Sequence, residues 1–404
     1  MANTYITPDI IASGMLAVMH NACPMLKHVD KQYDNSFGEG AKVNGNMPGP
    51  SIRIRRPVRS TVTRGATLVV QDTAEETITL SQSTRLQISR EFTAQDLTLT
   101  VTDFKERYIM PDGKRLASEV EQELTKLYTS CYNSVGTPGT APADDLPYLQ
   151  ANAKLDNYAV DIGDRIALIT PESNTATAHG LRDVFNKQDV VGKQYVSGRM
   201  GEAFGLEFYM DQNLQNHLTG SRDASNEGTV TGNQSGATLT MSAVTGHTFN
   251  RGDVFTVDGL FQVNYENKNA TPNLQQFVVT TDATASGSSV TLAFSPSIVT
   301  SGATQTTYST SGNQAPNNAI VTFKGQASTL YPQNMMVQKQ FATMASAPLY
   351  LPDGVDWKAR AESDGISIRV VRAYVINSDA LPTRMDILMG VVSPYPFAGC
   401  RIWA

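Results

Sequence analysis

The chain has 404 residues, 40% of them hydrophobic and 17% charged, with a formal net charge of −6. That length exceeds what one core usually holds, and the composition is that of a folded chain rather than a disordered one. The acidic balance argues against a surface that grips nucleic acid throughout, and no apolar run approaches membrane-spanning length.

Thr7, Pro8 and Asp9 make a helix start, with a capping hydroxyl, proline in the first turn and a carboxylate at the positive end of the dipole. The helix this predicts, Pro8 to Asn21, is apolar over much of its circumference and should dock on something. The apolar stretch Ile10–Met19 follows Asp9 and lacks a basic leader, so no secretory signal is expected. Three cysteines, Cys23, Cys131 and Cys400, lie far apart and fit reduced, buried thiols better than a disulfide framework or a zinc site. His20 and His28 flank Cys23 without structural-zinc spacing, and His179, His217 and His247 show no partner pattern.

After a glycine-rich turn, Ser51 to Arg56 alternates apolar and basic residues. Arg59 to Arg90 then reads as one long hairpin: Thr61–Val70, an acidic bend at Asp72–Glu76, Thr77–Leu80 and Arg85–Ser89. A solitary two-stranded hairpin is marginal in water, so its apolar face calls for a surface on another chain. Next comes the clearest helix: Leu116, Val120, Leu124, Leu127, Cys131 and Val135 recur by threes and fours, and Gly136 and Pro138 end the run. A second helix is expected over Asp144–Leu155 and a buried strand over Asp164–Thr170.

Between Asn226 and Phe323 the chain changes character. Its only charges there are Glu227, Arg251, Asp253, Asp258, Glu266, Lys268 and Asp282, among short alternating runs such as Val254–Val257 and Ser289–Leu292. This predicts an all-β module spliced into a mixed α+β domain, with most of its aromatic residues in its core. Long strands return at Met335–Phe341, Ile366–Ile376 and Met385–Val392.

The tail segments Phe341–Gly354, Gly365–Arg372, Asp379–Asp386 and Ala398–Ile402 resemble the C-terminal signature of tailed-phage coat proteins of the P-twenty-two type. Thr7–Asp9, Val43–Gly45 and Ile52–Pro57 resemble the arm and first hairpin strand of phage major capsid proteins, and Gly201–Asp211 resembles the strand before their insertion. The likeness runs in the same order along nearly the whole chain. It implies the Hong Kong 97 capsid fold with an inserted antiparallel β-barrel: N-terminal arm 1–40, extended loop 41–92, peripheral domain with spine helix 93–144, axial domain 145–225, barrel 226–325 and return strands 326–404. It implies a coat protein that assembles through homo-pentamers and homo-hexamers into the icosahedral head around double-stranded DNA, without sequence recognition. Scaffolding and portal proteins, and a decoration protein, are the implied partners, and no membrane or cofactor is. The long charged loop after the insert's first strand is missing, because only Gly232–Gly236 separates Val230 from Leu239. The candidate for a bridge between capsomers is then the turn Tyr265–Thr271.

Arg53, Arg55, Arg56 and Arg59 are the densest basic run. They read as intersubunit ion pairing with Glu119 and Glu123, as a solvated strand face, or as contact with packaged DNA. The resemblance also points to Asp9 as the carboxylate that meets the basic end of a scaffolding protein, beside its plain reading as a helix-start residue. No phosphate-cradling Gly-Lys-Ser/Thr, dinucleotide or nucleophile-elbow motif occurs, so no enzyme is expected. Two other readings stand beside the virion shell: an encapsulin-like shell protein, and a β-rich adhesion or carbohydrate-binding protein.

Overall fold

A computed structural model describes residues 12–14, 16–17, 23–31, 49–66, 68, 70, 75–93, 110–180, 202–222 and 228–404. Asp9, and most of the helix expected over Pro8–Asn21, lie outside them; within that span Ala12 and Leu16 are buried. The chain divides into two compact units, one of Met1–Arg56, Thr77–Thr125 and Ala342–Pro394, the other of Pro57–Glu76, Lys126–Phe341 and Tyr395–Ala404.

The first unit is built on an antiparallel sheet in the order Thr343–Ser346, Ala380–Val392, Ile366–Arg372, Trp357–Ser363, with Thr84–Thr93 also paired to Ala380–Val392. Strand alternation sends Ala359, Ile368, Val370, Met385 and Ile387 to a buried apolar set. The helix Met110–Thr125 packs on the strand Thr84–Thr93 and buries Leu116, Ala117, Val120 and Leu124. A short helix, Pro24–His28, lies against it: the Met25 N–H donates to buried Glu121 at 2.7 Å and the Cys23 thiol to the Ala117 carbonyl at 3.1 Å. Asp112 in the helix's first turn accepts from Arg90, which fits a carboxylate at the positive end of the dipole.

Two expectations need correction here. The long hairpin is short: Ser51–Arg55 pairs with Thr77–Ser81, no strand runs through the described residues between them, and Arg85–Ser89 belongs to the sheet instead. Its apolar face is also covered by its own chain. Ile54 and Leu80 are buried against Ala345, with Ile52, Ala347 and Val392 packed around them. Contact is close enough that a Cβ on Gly390 would lie 2.3 Å from the Ser81 carbonyl oxygen. The spine helix likewise stops early, at Thr125, and passes through a 3-10 turn, Lys126–Ser130, to a short strand, Ser134–Val135. The predicted positions Leu127, Cys131 and Val135 are still buried. The step of three from Leu124 to Leu127 suits a 3-10 turn as well as an α-helix, and the strand is imposed by pairing with Arg401 and Ile402.

The second unit holds two seven-stranded sheets. In the mixed one the order is Ser134–Val135, Gly399–Trp403, Leu330–Gln338, Arg165–Ile169, Leu206–Met210, Glu202–Ala203, with Asn216–Leu218 on the leading half of Leu330–Gln338. Arg165–Ile169 is buried throughout, as expected, and the helices Leu146–Asn157 and Pro171–Gly180 accompany it. The other sheet runs Gly236–Ser242, Ser289–Ile298, Ala270–Val279, Val254–Val263, Ile320–Phe323, Gly228–Thr229, with Thr307–Ser309 on Val254–Val263. Val230 bridges to Met241, and the Thr231 N–H donates to the Thr240 carbonyl at 3.0 Å, which joins the first and last strands of that order. Phe249, Phe255, Phe277 and Phe294 fill its interior; Phe277 meets Phe294 edge-on at 5.2 Å. Tyr308, by contrast, is exposed. All three cysteines are buried and none forms a disulfide, as their spacing suggested.

Truncating Leu80 to alanine, at a fully buried position, should lower the unfolding free energy of the soluble subunit by about 2–5 kcal/mol. Val62→Ala, at a residue 95% exposed, should change it by no more than about 0.5 kcal/mol. Equal shifts of the denaturant midpoint in the two variants would show that the hairpin base is not packed on its own chain.

Candidate functional site

The arginines of the hairpin fall into two groups. Arg53 and Arg55 are exposed on one strand opposite Thr79 and Thr77, two residues apart and therefore on one face. Arg59 is engaged within its chain: its guanidinium lies 4.4 Å from the centroid of the Tyr265 ring. Tyr265 is itself fixed, donating its N–H to the Asn157 carbonyl at 3.1 Å and packing on Phe397 at 5.2 Å. The turn expected to bridge capsomers is thus seated on its own unit. Arg56 is half-buried. Glu119 and Glu123, one turn apart on Met110–Thr125, share a helix face, and Arg115 holds Glu119. The structure therefore presents a basic strand face and an acidic helix face on separate elements.

A second charged cluster was not foreseen. Asp386, with no exposed surface, accepts from Arg85 at 3.2 Å, from Arg384 at 2.6 Å and from Arg369. Burial pushes its carboxyl up, and the Arg369 and Arg384 guanidiniums outweigh burial and hold it below the usual carboxylate range. The Arg369–Asp386 pair is a cross-strand register pair, visible only once the sheet order is known.

A further buried polar cluster lies in the second unit, where two chain segments, Thr219–Arg222 and Lys324–Thr329, link its sheets. They are stitched together: Thr219 N–H to Thr329 O at 3.1 Å, Ser328 N–H to Gly220 O at 3.0 Å, Thr329 N–H to Thr219 Oγ1 at 3.0 Å. A Cβ on Gly220 would meet the Thr248 carbonyl oxygen at 2.0 Å, so only glycine lets the first segment lie this close to Thr248 and Phe249. At the centre is Asp253. Its Oδ1 is 3.0 Å from His217 Nε2 and its Oδ2 is 2.9 Å from Arg222 Nη1; the Asn250 and Gly220 N–H groups also donate to Oδ2. His217 Nδ1 meets the Tyr128 hydroxyl at 3.1 Å, and Arg401 stacks over the Tyr128 and Trp403 rings. With Nε2–H donating to Asp253, Nδ1 accepts the tyrosine proton, which is the neutral imidazole's pattern.

The energetics agree. Burial pushes the His217 pKa down and outweighs the lift from Asp253, with Arg401 and Arg222 adding to the depression. Burial pushes the Asp253 carboxyl up, but His217 and Arg222 more than offset it and leave it low. Histidine, aspartate and tyrosine resemble a catalytic relay on paper. Here the His217 and Asp253 side chains are 2% and 0% exposed, so no substrate reaches them. Sequence reading gave His217 no partner, and the scarcity of charge around Asp253 was the one signal that could have singled it out. Among the described residues no cluster of histidine, cysteine, aspartate and glutamate could hold a metal, and no helix is long and apolar enough to cross a membrane.

Mutually satisfied, inaccessible polar clusters of this kind brace a structural subunit. The family model for the P22 coat protein, gene protein 5, matches residues 3–403, and the chain belongs to that family. It is accordingly a major capsid protein, a structural component of the virion that assembles with further copies into the shell of a phage head. Its mixed helix-and-strand fold is similar to solved phage capsids. A chain of Mycobacterium phage Che8 is 11% identical, with 93% of this chain and 89% of that one covered and a TM-score of 0.46. The capsid of Ralstonia phage GP4 is 7% identical over 88% and 84% with a TM-score of 0.46, and that of the cyanophage P-SCSP1u 10% identical over 88% and 84% with a TM-score of 0.44. No individual curated protein matches the chain.

The sign of the pH dependence follows from His217. Its folded pKa lies below the ordinary value of 6.5, so between the two the unfolded chain binds a proton that the folded chain refuses. Stability should be complete above pH 6.5 and fall as the pH drops below it, by at most about 1.4 kcal/mol per pH unit. Asp253 adds a loss in the same direction at lower pH, below its ordinary 3.8. His217→Gln should be less stable at neutral pH and show a flatter denaturant midpoint from about pH 7 to about pH 5, the range in which histidine titrates. An unchanged slope would remove His217 as the source.

Proposed function

We propose that this coat protein is a subunit of the Hong Kong 97 type, with arm 1–40, extended loop 41–92, peripheral domain 93–144, axial domain 145–225, an inserted β-barrel 226–325 and return strands 326–404. It has no catalytic role. Its copies form pentamers and hexamers in the bacterial host cytoplasm, with a scaffolding and a portal protein, around double-stranded DNA held without sequence recognition; a decoration protein is a further partner. The bridge from Val230 to Met241 supports closure of the insert into a barrel.

One observation carries the reading of the loop. Past the hairpin base, Val62, Leu68 and Val70 are respectively 95%, 86% and 83% exposed. Three large apolar side chains on a short segment suit a surface that a neighbouring copy covers. The hairpin base, satisfied within its own chain, is left with the Arg53 and Arg55 face as its contribution to subunit contact. Arg56 and Arg59 were expected to share that role, and the Tyr265 contact makes Arg59 an internal tether instead. Glu123, and Glu119 where Arg115 releases it, are the carboxylates proposed to meet that face on an adjacent subunit, and Asp9 is the proposed scaffold contact.

Arg55→Glu should leave a folded monomer that cannot close shells, since the loss repeats at every contact, and Glu123→Arg in the same chain should restore part of the assembly. Sedimentation of both variants beside wild type reads this out; normal-sized particles from Arg55→Glu would refute the clamp. No lysine lies between Lys42 and Lys105, so past its second residue the extended loop has none with which to cross-link neighbours. Denaturing gels of mature particles should show one monomer band, and a covalent ladder would contradict that.

A further inference from the structure

We infer that Lys154, Lys324 and Arg401 form a binding site for a small inorganic oxyanion, with free phosphate as its type, in the seam between the two sheets of the second unit. The three cations come from different elements: Lys154 from the helix Leu146–Asn157, Lys324 from the residue after the strand Ile320–Phe323, and Arg401 from the strand Gly399–Trp403. Both ammonium groups reach one acceptor. Lys154 Nζ is 3.0 Å and Lys324 Nζ 3.4 Å from the Ser134 carbonyl oxygen, and Lys154 also donates to Gln276 Oε1. Gln276 is already committed, its amide pairing with the Ser134 N–H and carbonyl at 2.8 and 2.9 Å.

Neutral acceptors therefore serve two adjacent positive charges. Among the described residues no carboxylate figures in the influences on either lysine; the raising ones come only from the Cys131 and Cys400 thiols, and burial pushes Cys400 up to about 11, where it is uncharged at neutral pH. Of the buried carboxylates of the same unit, Asp253 is held by His217 and Arg222, and Asp211 accepts from the Asn213 N–H. Fully buried Arg401 spends Nε on Gln333 and Nη1 on the Gly252 carbonyl, and its Nη2 has no protein partner among the described residues. Ser134 Oγ, on the residue whose carbonyl collects the lysines, is also buried and without a partner there. A buried cation left without an acceptor is destabilising, and an oxyanion supplies the negative charge that the neutral acceptors lack. Lys324 registers the crowding of charge: burial, then the neighbouring Lys154 ammonium, lowers its pKa to about 8. Both lysine residues are half-buried, with desolvation the first cause of the lowered pKa of each.

The test is a thermal midpoint of the full-length soluble subunit, titrated with inorganic phosphate at constant ionic strength held by sodium gluconate. Wild type should show a saturable rise, about 2 °C at tenfold excess over the dissociation constant. The double variant Lys154→Met, Lys324→Met should lose the saturable part and keep only the gradual rise that excluded salts give any protein. In parallel, Lys324 of wild type should be acylated selectively near its pKa of about 8 without phosphate and protected by it, a readout that stands even if the variant fails to fold. An identical rise in the variant, or acylation indifferent to phosphate, overturns the site. Equal protection by a short DNA duplex at the same phosphate concentration would also overturn it, assigning the cations to nucleic acid.

Discussion

The second unit depends on one buried carboxylate. Asp253 sits on a turn of one sheet and its partners, His217, Arg222 and the Gly220 N–H, sit on the chain that enters that sheet. Both oxygens of the carboxylate are engaged, which is the condition under which a buried charge is tolerated. Removing it would leave Arg222 without this counter-charge in a place water does not reach. An apolar replacement of a whole buried ion cluster often matches it in stability, so its value lies in geometry. Only one placement of the turn against the linking segments satisfies the aspartate, the histidine and the arginine together.

The first unit repeats the device on a sheet face. Asp386 is fully buried beneath Arg85, Arg369 and Arg384, drawn from three strands, and Arg369 also donates to the Tyr350 carbonyl. A carboxylate with three guanidinium partners fixes strand register as well as charge, because a one-residue slip would send Asp386 to the opposite face. Both units thus place a satisfied anion where sheet and connecting chain must keep a single alignment.

Much of this fold was legible in the sequence. Strand alternation located Val254–Val257, Ser289–Leu292 and Met385–Val392, and the threefold and fourfold spacing from Leu116 located a buried helical face. These signals are local, and packing obeys them. The errors arose where distant residues decide. The spacing of Leu127, Cys131 and Val135 carries no sign that Ser134 and Val135 pair with the C-terminal strand. Nothing near Ile54 or Leu80 tells that Ala345 and Gly390 cover the hairpin's apolar face. His217 lies 36 residues from its aspartate, and Asp386 17 from Arg369, so no spacing rule joins them. The resemblance gave the architecture as an expectation, while the partners of Arg59, His217 and Asp386 had to be read from geometry.

Arg59 shows how a local contact bears on assembly. The turn it covers is internally tied, with the Asn264 N–H donating to the Asn269 carbonyl at 2.9 Å and the Lys268 N–H to the Asn264 carbonyl at 3.1 Å. Arg59 and Lys268 both lie over the Tyr265 ring, at 4.4 and 4.9 Å. A cation over an aromatic face contributes about 0.5–2 kcal/mol, too little to lock the segment and enough to bias where it starts. Val62, three residues on, is already almost fully exposed. Tethering the start of the segment shortens the arc its apolar residues can sweep, which would lower the ordering entropy lost in the contact with a neighbouring copy proposed above.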